Sequence, residues 1–134
     1  MAEAPLLDTH AWIWWLSADS RLKPSLSKRL DALPSTGRPL ISAISLWEVA
    51  TLVSLDRIRL DRGLEEWLEL AAHSRTVRIL PITAAIASEV ARLPESFHRD
   101  PADRLIVSTA RVHRLPVLTA DSEIRKSGLV SLWA

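Results

Sequence analysis

The sequence predicts an α/β domain with a parallel sheet and helices on both of its faces. Short, buried-type apolar strands alternate with amphipathic helices along the chain, which is the pattern of a sheet covered on both sides. No internal repeat, low-complexity tract or linker interrupts that alternation. The 134 residues are enough for one domain, spanning 1–134, with a proper core.

Taken in order, Pro5–Asp8 reads as a buried strand ending on an acid. Asp8 or Thr9 then caps a helix running to about Ser17, with Trp12, Trp15 and Leu16 on one face. After the turn Arg21–Pro24, Ser25 is the expected N-cap of a second helix carrying Leu26, Leu30 and Leu33, closed by Pro34 and Gly37. Pro39–Ile41 is the second strand, and Ser42–Leu55 the third helix, with Trp47, Val49, Ala50 and Val53 as its apolar residues. Gly63–His73 is the fourth helix, Val77–Leu80 the third strand, stopped by Pro81, and Thr83 caps a fifth helix with Ile86, Val90 and Leu93 in one stripe. Asp100-Pro101 opens a sixth helix that breaks at Arg114. Pro116–Leu118 forms the fourth strand. A short helical turn follows Asp121, and Leu129–Leu132 is the fifth strand.

Composition bounds the function. With no cysteine, disulfides and thiolate metal sites are excluded, and nothing argues for an oxidising compartment. The longest apolar run, Ala11–Leu16, is far too short to span a bilayer, and the start lacks a signal-peptide pattern. The expectation is a cytoplasmic protein with no membrane partner. A net charge of +1 says nothing of a nucleic-acid partner, whereas 14 Arg against 3 Lys favours phosphate contact or simply reflects codon composition.

Most of the sixteen acidic residues sit on polar helix faces or in loops. Four do not. Asp8, Glu48, Asp103 and Asp121 fall where the carboxyl ends of the strands meet the helices that follow, the edge at which open α/β sheets bind ligands. Each has a bland reading. Asp8 and Asp121 can cap helices, Ser45-x-x-Glu48 has the form of a capping box, and Asp103 can complement the dipole of the helix that Asp100 caps. Together they are harder to explain, because two carboxylates about 4 Å apart repel by roughly 4 kcal/mol at an effective dielectric near 20. Shared protons or a divalent cation relieve such a cluster, and all-oxygen donors suit Mg²⁺ or Mn²⁺. The histidines (His10, His73, His98, His113) are scattered without ligand spacing, which argues against zinc.

Four motifs, in order, resemble those of PIN-domain ribonucleases of the VapC toxin type. They are Leu6-Leu7-Asp8-Thr9-His10-Ala11-Trp12, Ser45-Leu46-Trp47-Glu48-Val49-Ala50, the stretch His98–Ile106, and Leu118-Thr119-Ala120-Asp121. The resemblance covers essentially the whole chain. It implies a three-layer α/β/α PIN fold around a parallel sheet of about five strands. It also implies a Mg²⁺- or Mn²⁺-dependent endoribonuclease acting on RNA, usually a homodimer, neutralised by a cognate antitoxin. Carried over by position, the catalytic acids are Asp8, Glu48, Asp103 and Asp121, with Asp8, Asp103 and Asp121 holding the metal. Thr9 and Thr119 match polar positions beside the site, and Ala102 stands where the family often has a bulky residue. Hydrolysis by a metal-activated water, leaving a 5′-phosphate and a 3′-hydroxyl, is the implied chemistry. The alternative is a non-catalytic PIN-like module that binds RNA or protein.

Other acid-at-strand-end folds fit less well. A phosphoacceptor receiver wants an acidic pair before the first helix and a late-strand Lys, and a haloacid-dehalogenase-type phosphatase wants Asp-x-Asp where this chain has His10. Among the six tryptophans, Trp12, Trp15 and Trp47 are expected in the core and Trp14 at the surface. Arg99, Arg104 and Arg125 lie near the acidic edge, where they contact RNA phosphate, pair with acids or are simply solvated.

Overall fold

A computed structural model describes residues 3–133. Among the described residues the sheet has four strands, all parallel: β1 (Leu6–Leu7), β2 (Leu40–Ser42), β3 (Arg78–Leu80) and β4 (Val117–Leu118), in the order β3-β2-β1-β4. The chain therefore builds outward from β1 in one direction and returns to its other side for β4. That places a topological switch point between β1 and β4, with their carboxyl ends side by side.

Strand geometry explains the two cores. Successive side chains point to opposite faces. Leu7, Ile41 and Leu118 face one way, into a cluster with Trp12, Val49 and Trp67 from α1 (Thr9–Leu16), α3 (Ala43–Ser54) and α4 (Leu64–Ala71). Leu6, Leu40, Leu80 and Val117 face the other, against Ile106 and Ala110 of α6 (Pro101–His113). A third cluster joins Leu93, Phe97, Val107 and Ile124 where α5 (Ala84–Arg92), α6 and α7 (Ser122–Ser127) meet. Full burial on both faces is why β1, β2 and β4 each carry an unbroken apolar pair, whereas β3, at the sheet edge, leaves Arg78 and Ile79 exposed.

Several expectations change in detail. The fifth strand shrinks to one parallel bridge, Val117 to Leu132. Its partner β4 is only two residues long, so the edge receives just two backbone hydrogen bonds there, Val117 N to Ser131 O and Trp133 N to Val117 O. The second helix, α2 (Pro24–Asp31), begins at Pro24 with Lys23 as its cap, because proline is pre-organised for the first helical position; Ser25 is already inside. The third helix is capped by Ser42, whose hydroxyl accepts from Ile44 N at 3.2 Å, so Ser45 and Glu48 do not form a capping box.

The tryptophans divide differently from the expectation. Trp12 is fully buried and donates its indole N–H to Ala71 O at 3.1 Å, and Trp15 donates to Asp31 at 2.9 Å. Trp47 is 55% exposed, because α3 turns Ser45 and Val49 inward and position 47 falls on its opposite side. Trp14, expected at the surface, is half-buried, with the Arg21 guanidinium 5.0 Å above its ring. Among the described residues no helix is long and apolar enough to cross a membrane.

Candidate active site

All four acids singled out in the sequence line one cleft of about 360 Å³ at the carboxyl ends of β1 and β4. Each arrives on a different element. Asp8 follows β1 directly and caps α1, its Oδ1 accepting from Ala11 N at 2.8 Å. Its Oδ2 accepts from the Thr119 hydroxyl, which sits at the end of β4 and in turn accepts from Asp121 N at 3.0 Å. Thr119 is thus a positioning group that holds Asp8 against the backbone of Asp121. Thr9, the next residue, hydrogen-bonds Ser45 at 2.9 Å and ties the first turn of α1 to α3. That link sets the rotation of α3 that brings Glu48 to the cleft.

Asp103 comes from the first turn of α6. Asp100 caps that helix, its Oδ1 accepting from Asp103 N at 3.2 Å, and Pro101 holds the first helical position. Asp100 also lines the cleft, and it remains exposed. Asp121 caps α7, accepting from Ile124 N at 3.0 Å. The bland capping readings of Asp8 and Asp121 are therefore correct, and they coexist with the site. A cap uses one carboxylate oxygen and aims the residue at the strand ends.

Electrostatics follows from this crowding. Asp8 is 5% exposed, and burial pushes its carboxyl above the usual range despite the hydrogen bonds from Thr119 and Ala11. Burial also raises Glu48, with Asp100 and Asp8 adding to the effect and Thr9 and His10 opposing it. Asp103 is pushed up to about 8, first by burial and then by the charges of Asp100, Asp121, Glu48 and Asp8. Such a cluster is a poor place for protons and charges alone, and a good one for a divalent cation.

His98, one of the scattered histidines, is brought to this site. Its Nε2 lies 3.1 Å from Asp103 Oδ2, and one donor atom from each of His98, Asp103 and Asp121 falls within 4.8 Å of the others. The cause is Arg104. Its guanidinium donates to the carbonyls of His98 (3.0 Å), Phe97 (2.9 Å) and Pro94 (3.3 Å), folding the loop before α6 back over the first helical turn. Arg104 therefore serves as a loop clamp instead of a phosphate contact. The available signal was the five-residue step from His98 to Asp103 across an Asp-Pro helix start. Arg125 is half-committed, one nitrogen donating to Thr119 O at 3.1 Å, while Arg99 is exposed beyond the cleft.

The donor set fits a hard divalent ion, with carboxylate oxygens in the majority and a single imidazole beside them. Asp103 and Asp121 stand with His98 as the group able to share one ion, while Asp8, whose two oxygens already accept hydrogen bonds, and Glu48 line the same cleft.

Comparison with known proteins agrees with this geometry. The model of the PIN domain family matches residues 6–128. Ribonuclease VapC22 of Mycobacterium tuberculosis (strain ATCC 25618 / H37Rv) is 40% identical over 121 residues, covering 90% of this chain and 88% of that protein. Among solved structures, VapBC2 from Rickettsia felis bound to a DNA fragment from their promoter superposes with a TM-score of 0.70 at 15% identity, covering 97% of both chains. A toxin–antitoxin complex from Klebsiella pneumoniae gives 0.65 at 23% identity, covering 95% of both. The chain belongs to the PIN-domain family, as a member of its VapC type.

Proposed function

We propose that this chain is a Mg²⁺- or Mn²⁺-dependent endoribonuclease, the toxin of a toxin–antitoxin pair. The observation that carries the reading is the convergence of Asp8, Glu48, Asp103 and Asp121 in one cleft from four separate stretches of chain. Asp8, Asp103 and Asp121 hold the cation. When bound, a divalent ion lowers the pKa of water and neutralises charge building on a phosphoryl oxygen. Glu48 orients the water for attack in line with the leaving 3′-oxygen. The new P–O bond forms as the P–O3′ bond breaks, and the products are a 5′-phosphate and a 3′-hydroxyl. Thr119 keeps Asp8 aimed at the strand ends throughout, and the Asp100 cap does the same for Asp103. No serine or cysteine nucleophile lines the cleft.

The ribonuclease named among its relatives supports RNA as the substrate. The likeness to toxin–antitoxin complexes supports an antitoxin partner, for which the exposed Trp47 and Leu55 provide apolar surface alongside a second copy of the chain. The deciding experiment is cleavage of a structured RNA with and without Mn²⁺. Cleavage that requires the metal and disappears in Asp8→Asn is expected. Activity that survives excess chelator, or survives Asp8→Asn, overturns the reading.

A further inference from the structure

A second groove, of about 510 Å³, adjoins the acidic cleft and shares Trp14, Arg21 and Ala120 with it. It runs between the α1–α2 segment and the end of β4 with α7. Four cations line it (Arg21, Lys23, Arg29 and Arg125), and among the described residues no carboxylate does. Two of the guanidiniums lie over indoles, Arg21 over Trp14 at 5.0 Å and Arg29 over Trp133 at 4.0 Å. Among the described residues Lys23, Arg29 and Arg125 make no ion pair, and Arg21 pairs only with the neighbouring Asp19. The groove on the other side of Trp14 differs, since its Arg57 and Arg59 share the wall with Asp19 and Asp61. Arg21 lines both grooves, and the second groove's cations stand without acids in its wall, whereas those of the other groove share theirs with two aspartates, so the net positive charge is greater on this side of the site.

This asymmetry answers a difficulty of the site itself. A cluster of carboxylates repels the phosphates flanking the bond to be cut, so the strand needs cations close by and on a continuous path. We infer that single-stranded RNA leaves the acidic cleft along this groove, its phosphates on Lys23, Arg29, Arg21 and Arg125 and an unpaired base next to the cut bond stacked on Trp14. The inference rests on the ribonuclease reading and deepens it by giving the substrate a track and a strand state. Stacking requires an unpaired base, and an indole beside a phosphate-binding row is the usual construction of a single-strand platform.

The test is equilibrium binding of a single-stranded RNA oligonucleotide in chelator, across a salt series, with the full chain. Lys23→Gln and Arg29→Gln carry it, because both side chains are exposed; Arg125 is tied to Thr119 and is left alone. Each substitution should lower the slope of log K against log salt by about 0.7, one phosphate contact on a single strand. Arg57→Gln and Arg59→Gln should leave the slope unchanged. Trp14→Ala should weaken binding at least ~5-fold for the intact oligonucleotide and not for one with an abasic residue at the cut position. Equal slope losses in both grooves, or none in either, overturn the inference. So does equal competition by an oligoglutamate of matched charge, which would mark the groove as a site for an acidic peptide. Groove-dependent binding without metal-dependent cleavage of the same RNA removes the ribonuclease reading and leaves the track. Cleavage with groove-independent binding does the reverse.

Discussion

The His98 imidazole and the Asp103 carboxylate meet at 3.1 Å, with Asp121 close enough for all three to share one ion. Imidazole is a softer donor than carboxylate, and nitrogen ligands favour later divalent metals over Mg²⁺. In His98→Gln the rise in melting temperature on adding Mn²⁺ should shrink, while the smaller rise with Mg²⁺ changes little. Thermal melts in millimolar concentrations of each metal check this. Equal losses for both ions would show that His98 only packs beside the site.

Thr119 joins β4 to β1 by donating to Asp8 while accepting from Asp121 N. Thr119→Val keeps the shape and removes the hydroxyl. It leaves a buried carboxylate short of a donor, which costs about 1–3 kcal/mol. Metal affinity should fall as well, because Asp8 loses the bond that favours its charged form. Thr119→Ser should restore both the melting temperature and the Mn²⁺ response. A valine variant as stable and as metal-responsive as wild type would remove Thr119 from the site.

Much of this geometry is legible in the sequence, because it is local. An apolar pair followed at once by an acid marks both the strand end and the residue delivered there, as at Leu7-Asp8, and Leu118–Asp121 repeats the pattern with an offset. What escaped is either a boundary or a long-range contact. Ser42 and Ser45 both precede the apolar run of α3, and only the end of β2 decides that Ser42 is the cap. Position 47 lies opposite Val49 on a helix, so Trp47 read as core only because large apolar residues usually are. The placements of His98 by Arg104 and of Trp14 under Arg21 depend on a guanidinium reaching across a loop, which no periodicity reports.

Arg104 binds three carbonyls of the loop before α6 with a planar fork, a geometry a lysine cannot reproduce. Arg104→Met should release that loop, losing about 1–3 kcal/mol as the carbonyls lose charge-assisted partners. Amide exchange over residues 95–99 should accelerate well before global unfolding. The Mn²⁺-induced stabilisation should drop along with it, since His98 is no longer held to Asp103. Arg104→Lys should recover little of either. Unchanged exchange in the loop would mean that the Phe97 packing alone holds it.

The pH dependence of the metal-free protein follows from Asp103. Its folded pKa of about 8 lies above the ordinary value of 3.8, so the folded state holds a proton that the unfolded chain releases. The stability this contributes is fully present below about pH 4 and is lost as pH rises toward 8. Asp8 and Glu48 shift in the same direction and add to the slope. In chelator, the melting temperature should therefore fall from about pH 5 to pH 8, against the usual trend for proteins stabilised by paired carboxylates. Asp103→Asn, neutral at every pH, should flatten the fall and raise stability at pH 8 by at least about 1 kcal/mol, a rise of roughly 3–6 °C in melting temperature. Saturating Mn²⁺ should flatten it in the wild type, because the bound cation favours the ionised carboxylates. A metal-free melting temperature that rises between pH 5 and 8, or a slope untouched by Asp103→Asn, would mean the carboxylates do not crowd as the cleft indicates.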